Sequence, residues 1–393
     1  YNHYVMNSPF LYNRPLQAPE VLGRTAGADW LASNLIKGQH SVVWNTPKTG
    51  KSSFINKVLA QIRKNEQAPL ICRLSCFNIR SEHSLYAALA NALFGCVANT
   101  LGEWENLAAT LLPVSKPGIP VPNHQGHEFY LVFADDLPAE AYLELARFPQ
   151  AFSTHMNRRV IIVLESFHTL VEFSGAHARS QFQKIAELWK SMPDVTWLIC
   201  GSGSTASSGY SVFRELFDER RPFYRFAEHV PLEPIDEKEF TDYIIRSFAK
   251  AGRVISRDYA GMIYQKMEGH PYYVQYLSDI CFSNTKGYMN DAMFQGGLEE
   301  LLDIFQQPFE CICQELTTPQ IYFLRAISQG VEQFCSIEVM DKYFLKSSGN
   351  VSRTRDALER KGIIETVRKK PHFIDPLFKF WFEERFCKTY WLR

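Results

Sequence analysis

The apolar run Ser41-Val42-Val43-Trp44 passes directly into Asn45-Thr46-Pro47-Lys48-Thr49-Gly50-Lys51-Ser52-Ser53 and then into a stretch of helical period. The pattern G-x-x-x-x-G-K-[ST] is met except at its first position, where Asn45 replaces glycine. Such a loop fixes a local fold, because a strand must deliver it to the N-terminus of a helix. There, orphan N–H groups and a partial positive charge favour phosphate. Gly50 lets the backbone approach the phosphates, Lys51 reaches the outer ones, and the Ser52 hydroxyl suits Mg²⁺. Asn45 is expected to be a mild loss, since asparagine tolerates positive φ better than most residues. An ordinary strand-to-helix turn explains neither the Gly-Lys-Ser triplet nor its position.

Further strand signals at 70–74, 160–164, 195–200 and 227–231 alternate with segments of helical period. That alternation predicts an α/β fold: a mostly parallel sheet with helices on both faces. The chain of 393 residues exceeds what one core normally uses, so about two or three domains are expected. Lys plus Arg equals Asp plus Glu at 42 each, which argues against a whole-chain electrostatic role on nucleic acid or membrane. No uncharged apolar run of about 18 residues exists, and Tyr1 to Arg14 lack the order of a secretory signal, so a soluble cytoplasmic protein without membrane contact is expected. The nine cysteines include no C-x-x-C pair and read as reduced core residues; Cys311 and Cys313 lack the second cluster a metal site would need.

The expected organisation is a lead-in over 1–23 and a phosphate-loop sheet domain over 24–235, with a less regular insertion near 102–157. A helical lid follows over 236–314, opened by a capping box from Asp236 to Glu239. Residues 112–123 are the most loop-like stretch, ahead of a helix over 138–147. In 315–393, helices at 319–328, 337–344 and 350–362 precede a small hairpin with a basic turn, the order of a winged helix. This last region holds 14 Lys or Arg against 10 Asp or Glu, a weak basic surplus. Arg353 and Arg355 on its third helix and Arg368, Lys369 and Lys370 in the turn are the candidate DNA contacts, although many winged helices only pack on neighbouring domains.

A sheet of this kind needs an acid at the end of a neighbouring strand, and only Arg159-Val160-Ile161-Ile162-Val163-Leu164-Glu165-Ser166 supplies one. Glu165 falls at the metal-side position and Ser166 at the usual catalytic position, where serine is no carboxylate base. Ser202, after the next strand, could report a γ-phosphate by its place in the strand order, although Cys200-Gly201-Ser202-Gly203-Ser204 read alone is a plain Gly/Ser loop. Arg225 could contact a phosphate, or its stem could simply cover the aromatics beside it. Gly269-His270-Pro271-Tyr272-Tyr273 fits a helix boundary, and equally a surface for stacking on adenine.

Taken in order, Leu22-Gly23-Arg24, the phosphate loop, the strand ending at Glu165, Cys200-Gly201-Ser202, Pro222-Phe223-Tyr224-Arg225, Gly269-His270-Pro271 and Phe373-Ile374-Asp375-Pro376 resemble archaeal-type ATPases. These are AAA+ relatives of the STAND nucleotide switches, and the resemblance spans residues 15–386. It implies a P-loop sheet domain, a helical lid and a winged helix. It also implies ATP or ADP with Mg²⁺: Gly23 and Arg24 near the adenine, Asn45 to Ser53 around the phosphates, and Ser52 and Glu165 on the metal. Glu165 would be the Walker B acid, Ser202 sensor 1, and Pro271 would lie against the base. Related switches sense the β-phosphate of ADP with a His-Asp pair, for which this chain has Ile374-Asp375.

Asn45, Glu165 and Ser166 all depart from the family pattern in the direction that spares binding more than hydrolysis. Loss of a positioned base costs roughly 100- to 10,000-fold in rate. The leading expectation is therefore a nucleotide-dependent switch with slow or absent ATP hydrolysis, acting with a protein partner. Two alternatives remain: a DNA-binding or scaffold protein with a vestigial site, and a conventional ATPase in which another acid replaces Ser166.

Overall fold

The computed structural model describes residues 8–65, 67–117, 129–134, 136–173, 178–205 and 211–389. The first seven residues of the lead-in and the loop-like stretch beyond Pro117 lie outside the described residues.

Five strands, β1 (Ser41–Asn45), β2 (Leu70–Ser75), β3 (Val160–Glu165), β4 (Val195–Ser202) and β5 (Glu228–His229), form one parallel sheet in the order β2-β3-β4-β1-β5. Their near-continuous apolar sequences match burial on both faces. Val160, Ile162 and Leu164 of β3 enter one core while Ile161 and Val163 enter the other, as a period of two requires. The second face is covered by helices α1 (Thr25–Ile36) and α2 (Lys51–Arg63), through Leu31, Leu35, Phe54 and Val58. On the first face Trp189 stacks on Trp197 of β4, with ring centroids 3.9 Å apart.

The described helices of the 102–157 region belong to that first core rather than standing beside it. Helices Leu101–Leu111 and Ala139–His155 bury Trp104, Phe148 and Phe152 in the core on this face of the sheet. Helix Ala139–His155 runs well past the expected end near residue 147, because its apolar positions continue to Phe152. Between these helices lies a short antiparallel pair, Lys116–Pro117 with Leu131–Val132.

The lid comprises helices Glu237–Lys250, Arg257–Lys266, Pro271–Asn284 and Asp291–Gln314. Asp236 caps the first by accepting a bond from the Glu239 N–H at 3.1 Å. Only this half of the expected capping box forms, and the Glu239 carboxylate lies beside Gly23 instead. Helices Thr318–Ser328, Ile337–Lys342 and Ser348–Arg360, the hairpin Ile364–Val367 with Lys370–Phe373, and helix Pro376–Trp381 complete the expected winged helix. One apolar core runs unbroken from the lid into it, joining Phe240 and Leu277 to Phe309, Leu358 and Phe378. Among the described residues no helix is long and apolar enough to cross a membrane.

Candidate functional site

The loop leaves β1 at the carboxyl edge of the sheet, where open parallel sheets bind ligands. Lys48 and Gly50 adopt positive φ, +62° and +85°. Asn45 does not, which corrects the sequence argument about its backbone. It completes β1 opposite Ser202, and its Oδ1 accepts a 2.7 Å bond from the Thr46 N–H. Loss of the first glycine is mild because the position is extended strand. Gly50 is needed: its φ is left-handed, and a Cβ there would stand 3.1 Å from Arg24 Nη1.

Lys51 Nζ donates to the carbonyls of Asn45 at 2.9 Å and Thr46 at 2.7 Å. Burial pushes its pKa down to about 8. An anion placed beside it would be attracted and would raise that pKa again. Arg24, itself at φ +58°, donates to the Glu233 carbonyl at 2.6 Å and the Thr49 carbonyl at 2.9 Å, and burial lowers its pKa to about 10. It thus braces the loop's backbone against the start of the lid. Its neighbour Gly23 turns at φ +64°.

A cavity of about 400 Å³ opens between the loop and the lid. Pro47, Lys48 and Gly50 to Ser53 form its floor, Ser202 reaches it from β4, and Arg24, Phe240, Pro271 and Tyr272 form the opposite side. Such a volume is in the range of small-ligand sites. Residues 11–16 close the outer wall, and sequence reasoning missed them. Tyr12 stacks on Tyr276 with centroids 4.1 Å apart and donates to Asp279 Oδ2 at 2.9 Å. The Leu16 N–H donates to Ser53 Oγ at 2.9 Å, and Asn56 Nδ2 donates to the Leu16 carbonyl at 2.8 Å. The only signal in the sequence was the aromatic, Pro-rich character of this segment.

Glu165 ends β3 as expected, but its Oε1 accepts from Arg73 Nη2 at 2.7 Å in a half-exposed ion pair. Arg73 Nη1 donates to Asn56 Oδ1 on α2 at 2.8 Å. Ser166 takes a positive φ of +55°, and its backbone carbonyl accepts from Thr169 Oγ1 at 2.9 Å. The Ser202 N–H donates to His168 Nδ1 at 3.2 Å. Arg225 is exposed, lies 5.1 Å above the Tyr224 ring and does not line the cavity, which favours the reading that its stem covers aromatics.

The loop also approaches the winged helix, through the lid. Lys48 Nζ lies 4.3 Å from the Tyr272 ring centroid and 5.3 Å from that of Phe305. Next to it, Tyr273 donates to Asp375 Oδ2 at 2.6 Å, while Asp375 Oδ1 accepts the Leu377 and Phe378 N–H groups and caps helix Pro376–Trp381. Burial pushes the His270 pKa down to about 4, against the nearby Asp375 carboxylate and a hydrogen bond to the Pro47 backbone, both of which raise it. Ser204, just beyond β4, donates to Glu365 Oε2 of the wing hairpin at 2.6 Å. The loop after β4 is thereby bonded to the C-terminal region, and the loop after β1 meets it through the lid residues Tyr272 and Tyr273.

Of the basic candidates, Arg353, Arg368 and Lys369 are exposed, with Arg353 Nε donating to the Gly349 carbonyl at 3.2 Å. Arg355 pairs with Asp356, and Lys370 pairs with Glu332. Arg368 and Lys369 form the two-residue turn of the wing with φ of +51° and +69°, where side chains carrying Cβ are strained. Among the described residues no group of three or more His, Cys, Asp or Glu could hold a metal.

Residues 307–384 match a family described as "Probable winged helix domain". A Walker-type ATPase of Pyrococcus abyssi superposes with a TM-score of 0.63 at 13% identity, over 94% of this chain and 99% of that one. The ORC2 protein of Aeropyrum pernix, solved in ADPNP–ADP complexes, gives a TM-score of 0.57 at 11% identity, over 95% of each chain. No curated protein matches the chain in sequence. The likeness to these archaeal structures extends over nearly the whole chain and establishes its fold: a five-stranded parallel α/β sheet with helices, followed by a C-terminal winged helix.

Proposed function

We propose that the chain is a nucleotide-dependent switch of AAA+/STAND-like type: it binds ATP or ADP in the cavity above Lys51 and hydrolyses ATP slowly or not at all. The observation that carries this reading is the cavity itself, floored by the Gly50–Ser53 helix start and roofed by Pro271 and Tyr272 of the lid. Its polar end suits phosphates, and its apolar end, with Pro271, Tyr272 and Leu22, suits a flat base. Ser166 offers no general base beside Glu165, which supports slow turnover. The contacts from Lys48 to Tyr272 and from Tyr273 to Asp375 support communication between bound phosphate and the winged helix. A nucleotide that strengthens or breaks them would change what surface the C-terminal region presents to a partner.

The test is thermal unfolding of the full chain with ADP and ATP. Stabilisation of about 2.7 kcal/mol is expected at ligand concentrations 100-fold above Kd, and none in Lys51→Ala. No stabilisation of the unmodified protein by either nucleotide would refute the proposal.

A second activity, duplex DNA contact through the wing, is favoured by Arg368 and Lys369. They occupy left-handed backbone positions that Asn-Gly would fill with less strain, so charge at the exposed tip is retained at a cost in stability.

A further inference from the structure

Phosphate loops of this type ordinarily work with Mg²⁺, so the first question is whether these residues suit that ion. Mg²⁺ demands oxygen ligands in near-octahedral array, with carboxylates and a loop hydroxyl anchoring its water shell. The protein's own donors would be the Ser52 hydroxyl and the Glu165 carboxylate. Glu165 is engaged by Arg73 at 2.7 Å, and no acid follows it, since the next residue is Ser166. Arg73 is also held from its other side, by Asn56 at 2.8 Å, and Asn56 lies one helical turn beyond Ser52 on α2. The guanidinium therefore bridges the strand that should carry the metal-side acid and the helix that should carry the metal-side hydroxyl. Arginine holds a planar fork that a metal must displace before reaching the carboxylate. Neither Arg73 nor Glu165 lines the cavity, so the pair stands behind the loop rather than in it. The residues present do not fit a magnesium site.

We propose that the chain binds its nucleotide without a divalent cation, Arg73 being the positioning residue that neutralises Glu165 and keeps its carboxylate from ligating a metal. This rests on the nucleotide-binding reading above. Glu165 then serves as the counter-charge that orients Arg73, and no ligand sphere is built on it.

The test is calorimetric titration of the full chain with ADP, in excess EDTA and in excess Mg²⁺. The same Kd within about twofold in both buffers is expected. Arg73→Ala frees Glu165, and Mg²⁺ is then expected to tighten ADP binding at least about tenfold relative to EDTA. Glu165→Gln, which keeps the shape of the side chain, is expected to leave ADP binding insensitive to Mg²⁺. Arg73→Lys restores a cation and is expected to stay insensitive, which separates the charge from a fold defect. Binding of ADP to the unmodified chain that weakens tenfold or more in EDTA would overturn the metal-free site and leave the nucleotide reading standing. Absence of ADP binding in both buffers would overturn both.

Discussion

The junction of Tyr273 with Asp375 allows a worked test of how the winged helix is held. Asp375 has two duties: one oxygen caps helix Pro376–Trp381 and the other accepts the buried Tyr273 hydroxyl at 2.6 Å. Asp375→Ala removes the cap, about 1 kcal/mol, and strands the hydroxyl without a partner, about 2 kcal/mol more. A loss near 3 kcal/mol in a cooperative unit the size of the lid and winged helix lowers its Tm by roughly 6–12 °C. Tyr273→Phe alone deletes one bond to a carboxylate that keeps its two N–H donors, and costs about 1.5 kcal/mol. In the double variant no hydroxyl is stranded, so the chain should be no less stable than Asp375→Ala alone. The assay is urea unfolding followed by tryptophan fluorescence, since Trp381 is fully buried within this core and bonded to Gln306. Double-variant destabilisation equal to the sum of the single effects would refute the coupling, and with it the account of how the lid grips the winged helix.

Three further outcomes are expected. Lys51→Ala should fold normally yet lose all nucleotide-induced stabilisation in a thermal shift assay, because it deletes the buried cation on the cavity floor. His40 accepts a bond from the Trp197 N–H, stacks on Phe226, and is held by burial at a pKa of about 4 against its ordinary 6.5. The unfolded chain therefore takes up a proton that the folded chain refuses between these values: the stability from neutral His40 is complete above pH 6.5 and is lost as pH falls toward 4. His40→Gln should flatten that slope in unfolding titrations. Replacing Arg368 by Asn and Lys369 by Gly should raise stability by about 1 kcal/mol, by relieving two left-handed residues. If the wing meets DNA, the same change should shrink the slope of log affinity against log salt by about two.

The sheet was legible because buried parallel strands announce themselves as apolar runs, and the phosphate loop because its triplet has few other uses. The winged helix was legible from the order of three helices and a hairpin. What the sequence concealed were partnerships between residues far apart in it. Arg73 looked like an unremarked residue of a strand, and nothing local marks it as the partner of Glu165, 92 positions later. The 102–157 region read as an insertion because its helices carry no motif, yet Trp104 and Phe148 are among the largest fully buried side chains. Asn45 was argued from a backbone angle it does not adopt, since a pattern names a residue type without giving its φ. The cysteines were expected to be core residues; Cys72, Cys76 and Cys200 are, while Cys96, Cys311 and Cys335 are exposed.

The stretch ahead of the first helix has a mechanical consequence. Phe10 is sunk among Tyr243, Phe248 and Phe282 of the lid, while Leu16 is bonded at both its N–H and its carbonyl to the phosphate-loop helix. Five residues join these anchors, and the six steps from Phe10 to Leu16 reach at most roughly 20 Å when fully extended. The lid is thus moored to the sheet domain twice, once through residue 235 and once through this leash. Any hinge motion that admits or releases a ligand has a travel set by the leash, and going further requires drawing the Phe10 ring out of its aromatic nest. The amplitude of opening is written into the length of a short loop rather than into the hinge.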